Sequence, residues 1–107
     1  MELREIQKNM GEFLAERGWL GFSPNDVIIH LYEELSEIGK HLLFFSGYKN
    51  EQRHNKPPKA DIPKEFGQAF SLFLQLSILL DVDLETAWKN EIKTMSERFP
   101  IDKRTEN

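Results

Sequence analysis

The sequence predicts an all-α protein, a four-helix antiparallel bundle, and three observations predict it. Apolar residues recur every three or four positions in four separate stretches. Polar capping residues, Ser23, Asp61 and Asp83, stand just before three of those stretches. No stretch alternates apolar and polar residues as a half-buried strand does. A chain of 107 residues has room for one hydrophobic core, so residues 1–107 are expected to form a single helical domain, with 105–107 as a frayed tail.

Taken in order, Leu3, Ile6, Met10, Phe13 and Leu14 share one face of a helix over residues 2–17, and Gly18 follows as its stop. Ser23-Pro24-Asn25-Asp26 supplies an N-cap, a proline at N1 and an acid at N3. The second helix runs from Pro24 to about Phe44, with Val27, Ile28, Leu31, Leu35, Ile38 and Leu42 as its apolar stripe, and Gly47 closes it. Residues 48–60, YKNEQRHNKPPKA, are polar and basic with two prolines and read as a loop. Asp61 caps a third helix whose stripe is Phe66, Ala69, Phe70, Leu72, Phe73, Leu76, Ser77 and Leu80. Asp83 caps a short fourth helix, with Leu84, Ala87, Trp88, Ile92, Met95 and Phe99 as its inner face and Pro100 as its end.

Composition narrows the function classes. Hydrophobic residues at 39% and charged residues at 30% are ordinary for a soluble globule, and a net charge of -4 offers no broad phosphate-binding surface for a nucleic acid polymer. There is no cysteine, which excludes disulfides and thiolate metal sites and leaves oxygen and imidazole as the available ligands. MELREIQKNM is amphipathic and charged, and no run approaches the roughly 18 apolar residues of a membrane span. A cytoplasmic protein is expected, without a membrane partner. With 8 phenylalanines and 2 tryptophans the helices carry more apolar face than one copy buries, so self-association is expected too.

Against this apolar background the carboxylates stand out. On a helical wheel Glu34 and Glu37 fall on the margin of the second helix's stripe, and Glu65 projects between Ala69 and Leu72 on the third. An unpaired carboxylate taken out of water costs several kcal/mol, so such groups stay neutral, find cations or bind a metal. A single E-x-x-E on a helix is common and usually solvated. Three carboxylates on two facing helices instead ask for a shared partner, and Mg²⁺, with Mn²⁺ as a substitute, takes oxygen ligands and keeps positions open for phosphates.

Glu33-Glu34-x-x-Glu37 on one helix, followed by Glu65-x-x-Gln68 opening the next, resembles the EExxE…ExxD signature of the MazG-like all-α nucleoside triphosphate pyrophosphohydrolases. ERGW, FSP, LLDVDLETAW and the closing RFP also look like that family's small single-domain branch, which includes dCTP pyrophosphatases. The likeness spans roughly residues 3–100. It implies a helical homodimer or homotetramer that hydrolyses a (d)NTP between its α and β phosphates, releasing pyrophosphate. It further implies Glu34, Glu37 and Glu65 as metal ligands, with Glu33 orienting or activating the attacking water.

Three positions depart from the family pattern. Gln68 stands where the second motif has aspartate, offering a neutral oxygen to the metal but no charge. Glu91 and Met95 stand where the last helix often has lysine and asparagine, and only Arg98 of that set is retained. Lys89 and Lys93 are neighbouring candidates for phosphate contacts, the alternative being simple solvation. These departures keep a second reading open, a catalytically impaired homologue that binds nucleotide or metal or serves as a dimerisation module.

Further residues carry paired readings. Phe44 takes the place of an aromatic base-stacking residue in the related dCTP pyrophosphatases, or packs in the core. Trp19 and Phe22 line the same pocket, or staple the first helix to the second. His30 and His41 lie one turn either side of the Glu34/Glu37 pair, either contributing an imidazole to metal binding or standing at the surface or behind the ligands. Asp61 shares Glu65's wheel direction but is read as a cap, and the loop residues Lys49, Arg53, His54, Lys56 and Lys59 either close over a triphosphate or only connect.

Overall fold

The structure, a computed structural model, describes residues 2–52 and 54–101. It holds four α-helices, α1 (Leu3–Glu16), α2 (Pro24–Phe45), α3 (Ile62–Leu79) and α4 (Leu84–Arg98), and a 3₁₀ turn, Lys59–Asp61, that runs into α3. No strand occurs among the described residues. The expected tail at 105–107 and Arg53 lie outside them.

Local chemistry fixes most boundaries. Gly18 adopts a left-handed φ of 69° after α1, and the Trp19 N–H then donates to the Leu14 carbonyl at 2.9 Å. Ser23 Oγ accepts from the Asn25 N–H at 3.2 Å, with Pro24 opening α2. Gly47, at φ 80°, follows α2. Asp83 Oδ1 accepts from the N–H groups of Glu85 and Thr86 at 3.1 and 3.5 Å, capping α4. Asp61 departs from expectation: its side chain makes no cap hydrogen bond. The 3₁₀ turn has already given it helical angles, φ -77° and ψ -14°, whereas an N-cap side chain reaches back to the first amides from an extended backbone.

α2 and α3 form the central pair. His41 meets Glu65, Glu34 shares a cavity with Gln68, and Val27 shares one with Leu72 and Gln75. Rising numbers meet falling ones, so the two helices are antiparallel. Val27 and Leu31 bury against Ala69 and Leu72, flanked by Ile28, Ile38, Leu76 and Leu79. α1 covers a second side of α3, with Gln7 Nε2 donating to Ser77 Oγ at 2.9 Å and Leu14 wholly buried. Because α3 is covered twice, its buried residues are Ala69, Leu72, Leu74, Gln75 and Ser77. Phe66, Phe70, Phe73 and Leu80 of the expected stripe stay exposed, as do Leu35 and Leu42 of α2.

α4 leaves the Lys59–Leu79 segment at 102° and is tied to α1 instead. Arg4 reaches Asp83 and Glu85, each at 2.9 Å. The hydrogen bond from Arg4 holds the Asp83 carboxyl below the usual carboxylate range, and Asp83 in turn raises the guanidinium. Gln7 adds two bonds to the same corner, donating to the Val82 carbonyl at 2.6 Å and accepting from the Leu84 N–H at 3.2 Å.

The expected inner face of α4 therefore points outward. Trp88 is 54% exposed, Ile92, Met95 and Phe99 are exposed as well, and no residue of the helix is buried. Accordingly the radius of gyration is 18.3 Å, against about 13 Å for a compact chain of this length. No single helix among the described residues is long and apolar enough to cross a membrane.

Candidate functional site

Two adjoining cavities lie along the α2/α3 pair. The smaller, about 270 Å³, is acidic, lined by Glu34 and Glu37 from α2, by Asp61 from the 3₁₀ turn and by Lys64, Glu65 and Gln68 from the start of α3. Helical spacing explains the convergence. Glu34 and Glu37 are one turn apart, and Asp61, Glu65 and Gln68 stand at i, i+4 and i+7 on the facing helix. All four expected metal-site residues, Glu34, Glu37, Glu65 and Gln68, are thus brought to one place. Asp61, expected only as a cap, joins them because its side chain is not occupied with capping.

The acidic side chains already have neighbours. His30 Nε2 lies 3.4 Å from Glu34 Oε1, and Lys40 Nζ lies 3.3 Å from Glu37 Oε1, both on α2 itself. Glu65 Oε2 faces His41 Nε2 at 2.9 Å in the interior. His41 is only 2% exposed, so it is a buried floor residue rather than a surface histidine. Histidine suits either face of a helix, and the hint in the sequence is its helical alignment with the core-facing Val27, Leu31 and Ile38.

The donor set of carboxylates, an amide and a buried imidazole whose Nε2 has no hydrogen-bond partner among the described residues suits a divalent cation. As they stand among the described residues, no three His, Asp or Glu side chains are close enough to grip one ion together. Binding would require the carboxylates to draw inward from His30 and Lys40.

The larger cavity, about 830 Å³, is mostly apolar. Phe13, Trp19 and Phe22 form its aromatic wall, with ring centroids 5.9 and 6.0 Å apart in edge-to-face contacts. Arg17 stacks over the Phe13 ring at 3.5 Å. Val27 and Leu72 extend the apolar lining, and Asp26, His30 and Gln75 add polar groups. Glu34 and Gln68 line this cavity and the acidic one alike, so the two adjoin at these residues. Trp19 is thereby a cavity residue.

Other expected site residues lie elsewhere. Glu33 is exposed and lines neither cavity, because one position along a helix turns a side chain by about 100° away from Glu34. Phe44 packs edge-on against His54, 6.5 Å between centroids, and lines neither cavity. Lys89 approaches Glu85 at 3.7 Å, and Arg98 stacks on Phe99 at 5.2 Å. Neither they nor Lys93 face the cavities, because α4 has swung away from α3. In the loop, Lys56 pairs with Glu51 and Lys59 lies over Phe45. The cation that does face the acidic cavity is Lys64.

No family model, no curated protein and no solved structure matches this chain.

Proposed function

We propose that the chain is a Mg²⁺-dependent nucleoside triphosphate pyrophosphohydrolase of the MazG-like kind, acting in the cytoplasm on a (d)NTP to give the monophosphate and pyrophosphate. The observation that carries this reading is the junction of an aromatic cavity with an acidic one at Glu34 and Gln68. A nucleobase stacks on aromatic rings, and the phosphates would extend past that threshold.

Four carboxylates and a triphosphate repel each other, so the arrangement works only with divalent cations between them. Glu34, Glu37 and Glu65 would hold the cation, and Gln68 would add a neutral oxygen. Bound there, Mg²⁺ or Mn²⁺ would neutralise phosphate charge and lower the pKa of a coordinated water. Asp61 would orient that water and take its proton, the role the resemblance implies for Glu33, which lines neither cavity. Lys64 would meet the phosphate oxygens.

The test is pyrophosphate release from a panel of dNTPs with Mg²⁺ and, separately, with Mn²⁺. Turnover is expected, and Glu37→Gln or Glu65→Gln should reduce it on the order of a hundredfold or more while leaving helicity intact. Background-level release across the panel would reject the reading. A second reading, nucleotide or cation binding without turnover, is favoured by the pairing of Glu34 with His30 and of Glu37 with Lys40 and by the neutral Gln68. Calorimetric binding of a dNTP without release of pyrophosphate would select it.

The bundle belongs to the same proposal. A second copy would cover the exposed faces of α3 and α4 and complete a four-helix antiparallel arrangement as a homodimer, with a homotetramer as the next state.

A further inference from the structure

Against Glu65, one of the carboxylates proposed to hold the cation, lies a buried histidine that the proposed reaction does not use. His41 Nε2 and Glu65 Oε2 are both buried and 2.9 Å apart, in a residue 2% exposed and a side chain 12% exposed. The distance is that of a hydrogen bond but the direction is not, and neither atom has a hydrogen-bond partner among the described residues. Buried polar atoms left in this way are uncommon. A ring nitrogen and a carboxylate oxygen held this close without a hydrogen bond call for a positive charge between them, a proton on Nε2 or a metal ion.

The separation fits such a charge. Two donors each about 2.1 Å from one divalent ion, at right angles to one another, stand about 3.0 Å apart. We propose that His41 Nε2 is itself a metal ligand, sharing with Glu65 the ion toward which Glu34 and Glu37 close. The site then takes a divalent transition ion, Mn²⁺, Co²⁺ or Zn²⁺, in preference to Mg²⁺. This rests on the reading of the acidic cavity as a cation site. Imidazole suits transition ions and is a poor ligand for Mg²⁺, whereas carboxylates alone suit Mg²⁺. Glu65 already lines the cavity, so turning its carboxyl opens the pair to an incoming ion.

Pulsed electron paramagnetic resonance of the full chain loaded with Mn²⁺ at pH 8 tests this directly, through coupling of the ion to a directly bound ¹⁴N. The wild type should show that coupling, His41→Gln should lose it, and His30→Gln, which removes the imidazole beside Glu34, should keep it. Competition between the two ions should show the preference for Mn²⁺ over Mg²⁺ falling at least about tenfold in His41→Gln. Bound Mn²⁺ without ¹⁴N coupling in the wild type, or with coupling that survives in His41→Gln, would overturn the assignment and leave the cation site standing. Failure of Mn²⁺ to bind at all would overturn both.

Discussion

At the scale of single residues, Leu14 joins stability to the site. Its side chain on α1 is wholly buried, and its carbonyl anchors the turn that carries Trp19. Leu14→Ala should therefore cost about 2–5 kcal/mol in a denaturant titration, because the space it leaves is enclosed by helices that cannot fully collapse. Glu33 makes a contrasting case. Glu33→Gln should leave pyrophosphate release within about twofold of wild type, as for a surface change away from the chemistry. A hundredfold loss there would move the reaction to a different face of α2.

At the scale of elements, caps explain why the helices were legible in sequence. Ser23 and Asp83 bond to the amides their positions imply, and Gly18 and Gly47 take the left-handed angles that end α1 and α2. Ser23→Ala should cost about 1 kcal/mol of stability, read as a lower Tm. The Arg4–Asp83 contact has a signed pH dependence. A carboxyl depressed in the folded state lends its stability above the unfolded value, 3.8, and loses it as the pH falls through the lower folded one. Asp83→Asn should accordingly lower Tm at pH 7, with the difference from wild type shrinking below about pH 4. The clustering of Glu34, Glu37, Glu65 and Gln68 was legible for the same periodic reason as the helices. The wheel sets Asp61 beside Glu65 and His41 beside the core, but it shows neither the 3₁₀ turn that leaves Asp61 out of capping nor the depth of the histidine. The path of α4 was hidden as well, since it depends on Asp81 at φ 55° and on the corner made by Arg4 and Gln7.

At the scale of the whole molecule, apolar rows on α3 and α4 are exposed, with no partner among the described residues of one copy. Phe66, Phe70 and Phe73 on one helix and Trp88, Ile92 and Met95 on the other repeat at helical spacing on exposed faces. Sedimentation should find a dimer or larger species, and Phe73→Glu or Trp88→Glu should shift it to monomer. A wild type that sediments as a monomer at micromolar concentration would count against a bundle completed by a second copy. The two tryptophans also stand in unlike surroundings, Trp19 edge-on to Phe13 and Phe22, Trp88 on the bare row of α4. They form a pair of intrinsic optical probes. Ligand entry would quench the emission of the first, association would shift the second to the blue, and a Trp88→Phe protein would report on the cavity alone.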